Sequence, residues 1–154
     1  LEKKPFDVHQ ALQAIVNSFR LSIEERGAHV QVQLDARKAR ISADETHLSN
    51  VFYNLLDNAL KFTEGTPRIT ISTFDDAANN LGICIGDNGV GIGKDIEHFI
   101  FNKFFHGHSR PGVSGFGLGL YYARSVVESH RGRMEVKSEP GKGSEFFIYL
   151  PNHE

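Results

Sequence analysis

Apolar residues along this chain follow two rhythms, and the switch from one to the other marks out the elements. After Pro5, residues Val8, Leu12, Ile15 and Phe19 fall at helical spacing behind an Asp7-x-x-Gln10 pair that resembles a capping box, and the run stops at Gly27. Val30, Val32 and Leu34 then alternate with glutamines as a strand does, and "RKARIS" suggests a short partner strand. Ser42-x-x-Glu45 opens a second helix, in which Leu48, Val51, Phe52, Leu55, Leu56 and Ala59 form one apolar stripe; Gly65 and Pro67 end it. "RITISTF" and "LGICIGD" alternate as strands on either side of an Asp- and Asn-rich turn. Leu120, Ala123, Val126 and Val127 carry a third helix from near Leu118 to Gly132, and "RMEVKS" and "EFFIYL" finish as strands around the turn Pro140-Gly141-Lys142-Gly143. The order α-β-β-α-β-β-loop-α-β-β has hairpin-length connections between most strands. It predicts an α/β (α+β) two-layer sandwich, with a mixed, mostly antiparallel sheet covered on one face by three helices, rather than a doubly wound parallel sheet.

Composition narrows the setting. The 154 residues fit one domain, 1–154, and the formal net charge of −2 provides no basic field for nucleic acid. The single cysteine, Cys84, excludes a disulfide framework and points to a reducing, cytoplasmic setting. No apolar run approaches the ~20 residues of a membrane span and "LEKKPFDV" has no signal-peptide core, so a soluble piece without direct membrane contact is expected.

The candidate chemistry sits on three segments. In "NLLDNALKF", Asn54, Asn58 and Lys61 lie at i, i+4 and i+7, so a helix projects two amides and an ammonium from one face, along the edge of its apolar stripe. Asparagine is a poor mid-helix residue, and an amide oxygen is a suitable hard ligand for Mg²⁺; back-bonding to the helix is the bland alternative. In "DNGVGIG", Asp87 ends a strand at the mouth of a glycine-rich turn. Its carboxylate suits an adenine amino group, Gly89 and Gly91 let backbone pass close to a base, and Ile92 could pack on the base's face. An ordinary Asx turn is the alternative there. In "GFGLGL", Gly115, Gly117 and Gly119 lead into a helix whose first N–H groups and dipole attract phosphates. This is neither a dinucleotide fingerprint nor a P-loop. Nine of the fifteen glycines fall between Gly86 and Gly119, so backbone freedom is concentrated here. Between the last two motifs, "FIFNKFFHGHSRPGVS" joins an aromatic anchor of Phe101, Phe104 and Phe105 to a polar span, the composition of a lid over about 106–116. His106 and His108 have no further ligands at metal spacing.

Taken together, the segments resemble the catalytic ATP-binding domain of two-component sensor histidine kinases, within the wider GHKL group that also holds gyrase, Hsp90 and MutL-type ATPases. "NLLDNALKF" looks like the N box, "DNGVGIG" the G1 box, "FNKFF" the F box and "GFGLGL" the G2 box, in family order over almost the whole chain. The resemblance implies a Bergerat-type ATP-binding fold with ATP and Mg²⁺ as cofactors. It implies Asn58 as the metal ligand, Asn54 and Lys61 as catalytic contacts to the phosphates and Asp87 as the adenine reader. Phe62, Gly89, Gly91, Ile92, Phe105, Arg110 and Leu118 would surround the nucleotide, and Gly115, Gly117 and Gly119 would hold the end of the lid.

Hydrolytic members of the group usually carry a glutamate where this chain has Asn54. A neutral amide cannot act as general base, so the γ-phosphoryl group is expected to go to a histidine on a separate dimerisation domain, with a response regulator downstream. A GHKL ATPase or an anti-sigma-type serine kinase is the alternative. The "SHELRTPL"-like segment that bears the histidine in the family does not occur in this sequence, and His9 lies in no comparable context. Two departures stand out: Glu145 follows "GKGS" where the family often has Thr, and Arg131-Gly132 replaces the usual Gly-Gly.

Overall fold

The computed structural model describes residues 1–97, 99–102 and 117–152. Within them, five strands form one sheet in the order β2 (His29–Leu34), β4 (Arg68–Asp75), β5 (Leu81–Asp87), β7 (Gly143–Leu150), β6 (Arg133–Glu139). Only β2–β4 is parallel, so the sheet is mixed and mostly antiparallel, as the alternation predicted. The parallel pair follows from connectivity, because the long helix α3 (Glu45–Lys61) lies between β2 and β4 and supplies the crossover that parallel strands require.

The strand in "RKARIS" is present as β3 (Arg40–Asp44), but its partner is an unanticipated β1 (Lys3–Asp7) in a separate two-stranded sheet, with Phe6 opposite Ile41. The first predicted helix is two: α1 (Val8–Ser18) and α2 (Arg20–Arg26), broken at Phe19. Phe19 turns inward to 7% exposure and packs its ring 4.8 Å from that of Tyr53, while the Ser18 hydroxyl donates to the Ile15 carbonyl and competes with the helix ladder. Gly27, at φ +61, ends α2 in a Schellman arrangement, with Gly27 N–H on the Glu24 carbonyl and Ala28 N–H on that of Ile23. Asp7 caps α1 through Gln10 N–H as expected. Asp44, however, and not Ser42, caps α3, its Oδ1 accepting from His47 N–H at 3.1 Å. Ser42 is already used in β3, opposite Pro5.

All six apolar positions of the α3 stripe are buried. They meet the inward sheet residues Ile69, Ile71, Ile83, Ile85, Phe146 and Ile148 and, on the other side, Leu120, Ala123, Val126 and Val127 of α5 (Gly117–Ser129). A short α4 (Lys94–Glu97) follows the first glycine loop. The other face of the sheet carries Phe74, Phe147 and Tyr149, with the Phe74 ring lying where Gly82 has no Cβ. Arg131 sits at φ +62, which explains why a second glycine would be at home there: the left-handed conformation costs an L-residue roughly 1–2 kcal/mol. No helix among the described residues is long and apolar enough to cross a membrane.

Candidate nucleotide site

The site is built where the carboxyl end of α3 meets the loop after β5. Asn54, Asp57, Asn58 and Lys61 share one face of α3 by helical spacing. Asn54 and Asn58 are half-buried, and the Asn58 Nδ2 is buried with no hydrogen-bond partner. It is the sole such side-chain atom among the described residues. Buried amides are normally satisfied, so an orphan on this face marks a place where something polar is expected. Lys61 reaches back one turn to Asp57, Nζ to Oδ2 2.8 Å, which holds the ammonium beside the two amides. That pair is partly exposed and contributes little stability.

The helix end is fixed from two sides. Arg26, at the end of α2, donates from Nη1 to the Leu60 carbonyl at 2.5 Å and from Nη2 to the Thr63 carbonyl at 2.8 Å. The Thr63 hydroxyl closes on the Ala59 carbonyl at 2.9 Å. Phe62 turns the chain out of the helix, and its carbonyl accepts from Val90 N–H at 3.1 Å, which ties α3 to the glycine loop. Gly89 fits only because it lacks a side chain: a Cβ there would lie 2.6 Å from the Phe62 carbonyl oxygen. Gly91 stands at φ +75 with the Glu139 carbonyl where its Cβ would be.

Asp87 ends β5, and its Oδ1 accepts from Gly89 N–H at 2.8 Å. Burial pushes its carboxyl above the usual carboxylate range, opposed by the Gly89 and Ser144 backbone N–H groups. The carboxylate is thus largely removed from water, with Gly89 N–H on its Oδ1. Ile92 is 2% exposed and packed into the core, so it supports the loop more than it faces open space. Asp87 also borders a cavity of about 370 Å³ with Lys137, Ser138, Glu139 and Glu145. Lys137 and Glu145 face each other across β6–β7 one position out of phase with Ser138 and Ser144, so that cavity wraps onto the outer sheet face rather than toward the α3 amides.

Helix α5 begins at Gly117, so its first N–H groups belong to the third motif. A Cβ on Gly119 would meet nothing within 4 Å, which leaves space beside that helix start. His130 anchors the other end of α5 to the start of α3. It accepts from Asp44 N–H at Nε2, 3.0 Å, and its Nδ1 lies 2.8 Å from the Val126 carbonyl, so the neutral ring carries its proton on Nδ1. Phe105, Arg110 and Gly115, with the lid over 106–116, lie outside the described residues, as do Phe104, His106 and His108. Among the described residues no cluster of His, Cys, Asp and Glu could hold a metal. Cys84 is inert, its thiol pushed up to about 12 by burial and by the neighbouring Glu145 carboxylate.

Sequence reasoning missed Arg26, Ser138 and the packing of Gly143 onto Asp87, where a Cβ on the glycine would meet the Asp87 carbonyl. The only available signal was the turn glycine pair around Lys142.

Comparison with known proteins places this arrangement. The chain is 34% identical over 155 residues to the sensor protein RprX of Bacteroides fragilis, covering 98% of this chain and 30% of RprX. It therefore spans less than a third of that relative. The catalytic domain of histidine kinase ThkA has the same fold, with a TM-score of 0.86 at 24% identity over 99% of this chain and 97% of that one. ThkA has also been solved in complex with the response regulator protein TrrA, where it matches with a TM-score of 0.80 at 20% identity over 98% of this chain and 42% of that one. Full-length ShkA, solved in complex with AMPPNP, matches with a TM-score of 0.83 at 25% identity, over 98% of this chain and 31% of that one. The signature of the histidine kinase-, DNA gyrase B-, and HSP90-like ATPases matches residues 43–154, from the strand before α3 to the last residue, and this chain belongs to that family of ATP-binding domains.

Proposed function

We propose that this domain binds Mg·ATP between α3, the Asp87–Ile92 loop and the start of α5, and presents the γ-phosphoryl group to a histidine on a separate dimerisation domain of a longer cytoplasmic sensor kinase. The observation that carries the reading is the buried, unpartnered amide of Asn58 on the same helix face as Asn54 and Lys61. Mg²⁺ would take the Asn58 Oδ1 as its protein ligand and neutralise charge on the triphosphate oxygens. The unpartnered Nδ2 is a donor and would meet an oxygen of the bound nucleotide, which leaves Oδ1 for the ion.

The remaining work is done by the chain's own groups. Asp87 accepts from the adenine amino group, Gly89 and Gly91 admit the ring, and Lys61, already held next to the amides by Asp57, meets phosphate oxygens. The N–H groups at the start of α5 add a fixed positive end to the same cluster. Asn54 has no basic lone pair to take a proton from water, so the γ-phosphoryl group survives for an imidazole nucleophile. The ShkA complex with AMPPNP and the ThkA complex with a response regulator support this reading through shared architecture. A response regulator is the proposed downstream acceptor.

Incubating the longer protein with γ-labelled ATP and Mg²⁺ tests it. An acid-labile, base-stable phosphoryl label on the protein is expected, with only slow release of free phosphate. Rapid steady phosphate release without labelled protein would point to an ATPase instead.

A further inference from the structure

We propose that Ser138 is a positioning residue for adenine recognition, its hydroxyl fastening both ends of the Asp87–Ile92 loop to the β6–β7 turn. This rests on the reading of Asp87 as the group that meets the adenine amino group.

Ser138 lies on the inner face of β6, opposite Ser144 of β7, which is itself opposite Asp87 of β5. Its Oγ makes three contacts: 2.7 Å from Ile92 N, 3.0 Å from the Gly143 carbonyl and 2.8 Å from Ser144 Oγ. A hydroxyl has one proton and two lone pairs, so only one assignment satisfies all three. Ser138 donates to Gly143, accepts from Ile92 N–H, and accepts from the Ser144 hydroxyl, which must therefore be the donor. Nothing is left over on the Ser138 oxygen.

The consequence is a closed frame. Ser144 is the strand partner of Asp87 at the start of the loop, and its O–H leads to Ser138, which grips Ile92 N–H at the loop's end. The turn after Ser138 grips the middle, where Gly141 N–H donates to the Val90 carbonyl at 2.8 Å and the Glu139 carbonyl presses on Gly91. The loop that aims Asp87 is thus held by a turn more than forty residues away, and the hydroxyl of Ser138 links its Ile92 end to Ser144, the strand partner of Asp87. Removing it leaves Ile92 N–H and the Ser144 hydroxyl unsatisfied in a largely buried place, which the loop can relieve only by shifting. A shift of a few tenths of an ångström degrades a directional hydrogen bond to adenine but hardly affects phosphate contacts on α3.

Binding of ATP and of purine riboside triphosphate, which lacks the amino group, should be measured with Mg²⁺ on the wild-type domain and on Ser138→Ala and Ser138→Thr. Ser138→Ala is expected to weaken ATP about tenfold and purine riboside triphosphate less than twofold, so that selectivity collapses, while Ser138→Thr keeps the hydroxyl and most of the selectivity. Amide exchange at Ile92 should quicken in Ser138→Ala while that of Ile83, mid-strand in β5, stays slow; this reads the loosening directly even if binding is weak. Equal losses for both nucleotides, or unchanged selectivity with Ile92 still protected, would overturn the role of Ser138. A wild-type domain that does not distinguish the two nucleotides would instead overturn the Asp87 reading on which it rests.

Discussion

Replacing Asp87 by asparagine is expected to weaken ATP binding on the order of 10²-fold while leaving the folded domain at neutral pH as stable as the parent or more so. The two effects have one cause. Burial holds the Asp87 carboxyl above its ordinary range, which means that the ionised form is less favourable in the folded chain than in the unfolded one. For a group whose folded pKa is raised, its stabilising contribution is full below the unfolded value of roughly 4 and is lost as pH rises through the folded value. At pH 7 the wild-type protein carries this penalty and Asp87→Asn does not, since the amide keeps an oxygen for Gly89 N–H. The same amide must then turn its –NH₂ toward the adenine amino group, donor against donor, and a lost charge-assisted hydrogen bond is worth about 1.5–3 kcal/mol. Calorimetric titration with Mg·ATP alongside thermal melts at pH 7 and pH 4 checks both arms. The melting advantage of Asp87→Asn should shrink toward pH 4, and wild-type affinity should fall as acid protonates the carboxylate. Unchanged ATP affinity would remove Asp87 from the base site.

Asn58→Ala is expected to abolish the Mg²⁺-dependent part of nucleotide binding and to raise the melting temperature. Alanine removes a buried amide whose nitrogen has no partner, relieving up to about 1–3 kcal/mol, and adds helix propensity of roughly half a kcal/mol mid-helix. For a domain of this size each kcal/mol corresponds to about 2–4 °C. Nucleotide affinity measured in EDTA should be little changed, because Asp87, Lys61 and the helix α5 start remain. Melts and titrations with and without Mg²⁺ separate these terms. A variant that melts lower and keeps the Mg²⁺ effect would show that the amide serves packing.

The α3 face was legible in the sequence while its surroundings were not. Asn54 and Asn58 interrupt a helix whose other positions obey the 3.6-residue period, and both interruptions are local, so spacing alone groups them. The six-residue stripe next to them is buried for the same reason. Strand β1 escaped notice because "KKPFD" exposes all but Phe6 and Asp7 and is ordered by backbone pairing with β3, which leaves no pattern in side chains. The partner of β3 was equally hidden, since alternation identifies a strand but not its neighbour. Phe19 fits both the helical spacing and the break, so no residue signals that α1 and α2 are separate. Asp44 and Ser42 are equally good caps in isolation, and only the β1–β3 register decides between them. Arg26 and Ser138 act across 34 to 46 residues of sequence, beyond any local motif.

The central claim is that the amide face of α3 and the Asp87 loop together form one Mg·ATP site, and side-chain NMR addresses it most directly. In a titration of the domain with Mg·AMPPNP, the Asn58 side-chain amide and the Gly89 backbone amide should shift together along one saturable curve, with the Asn58 change lost when Mg²⁺ is removed. If both stay still while signals bordering the large groove of Asp35, Lys38 and Asn79 at the far end of the sheet move instead, the nucleotide binds elsewhere and the account is wrong.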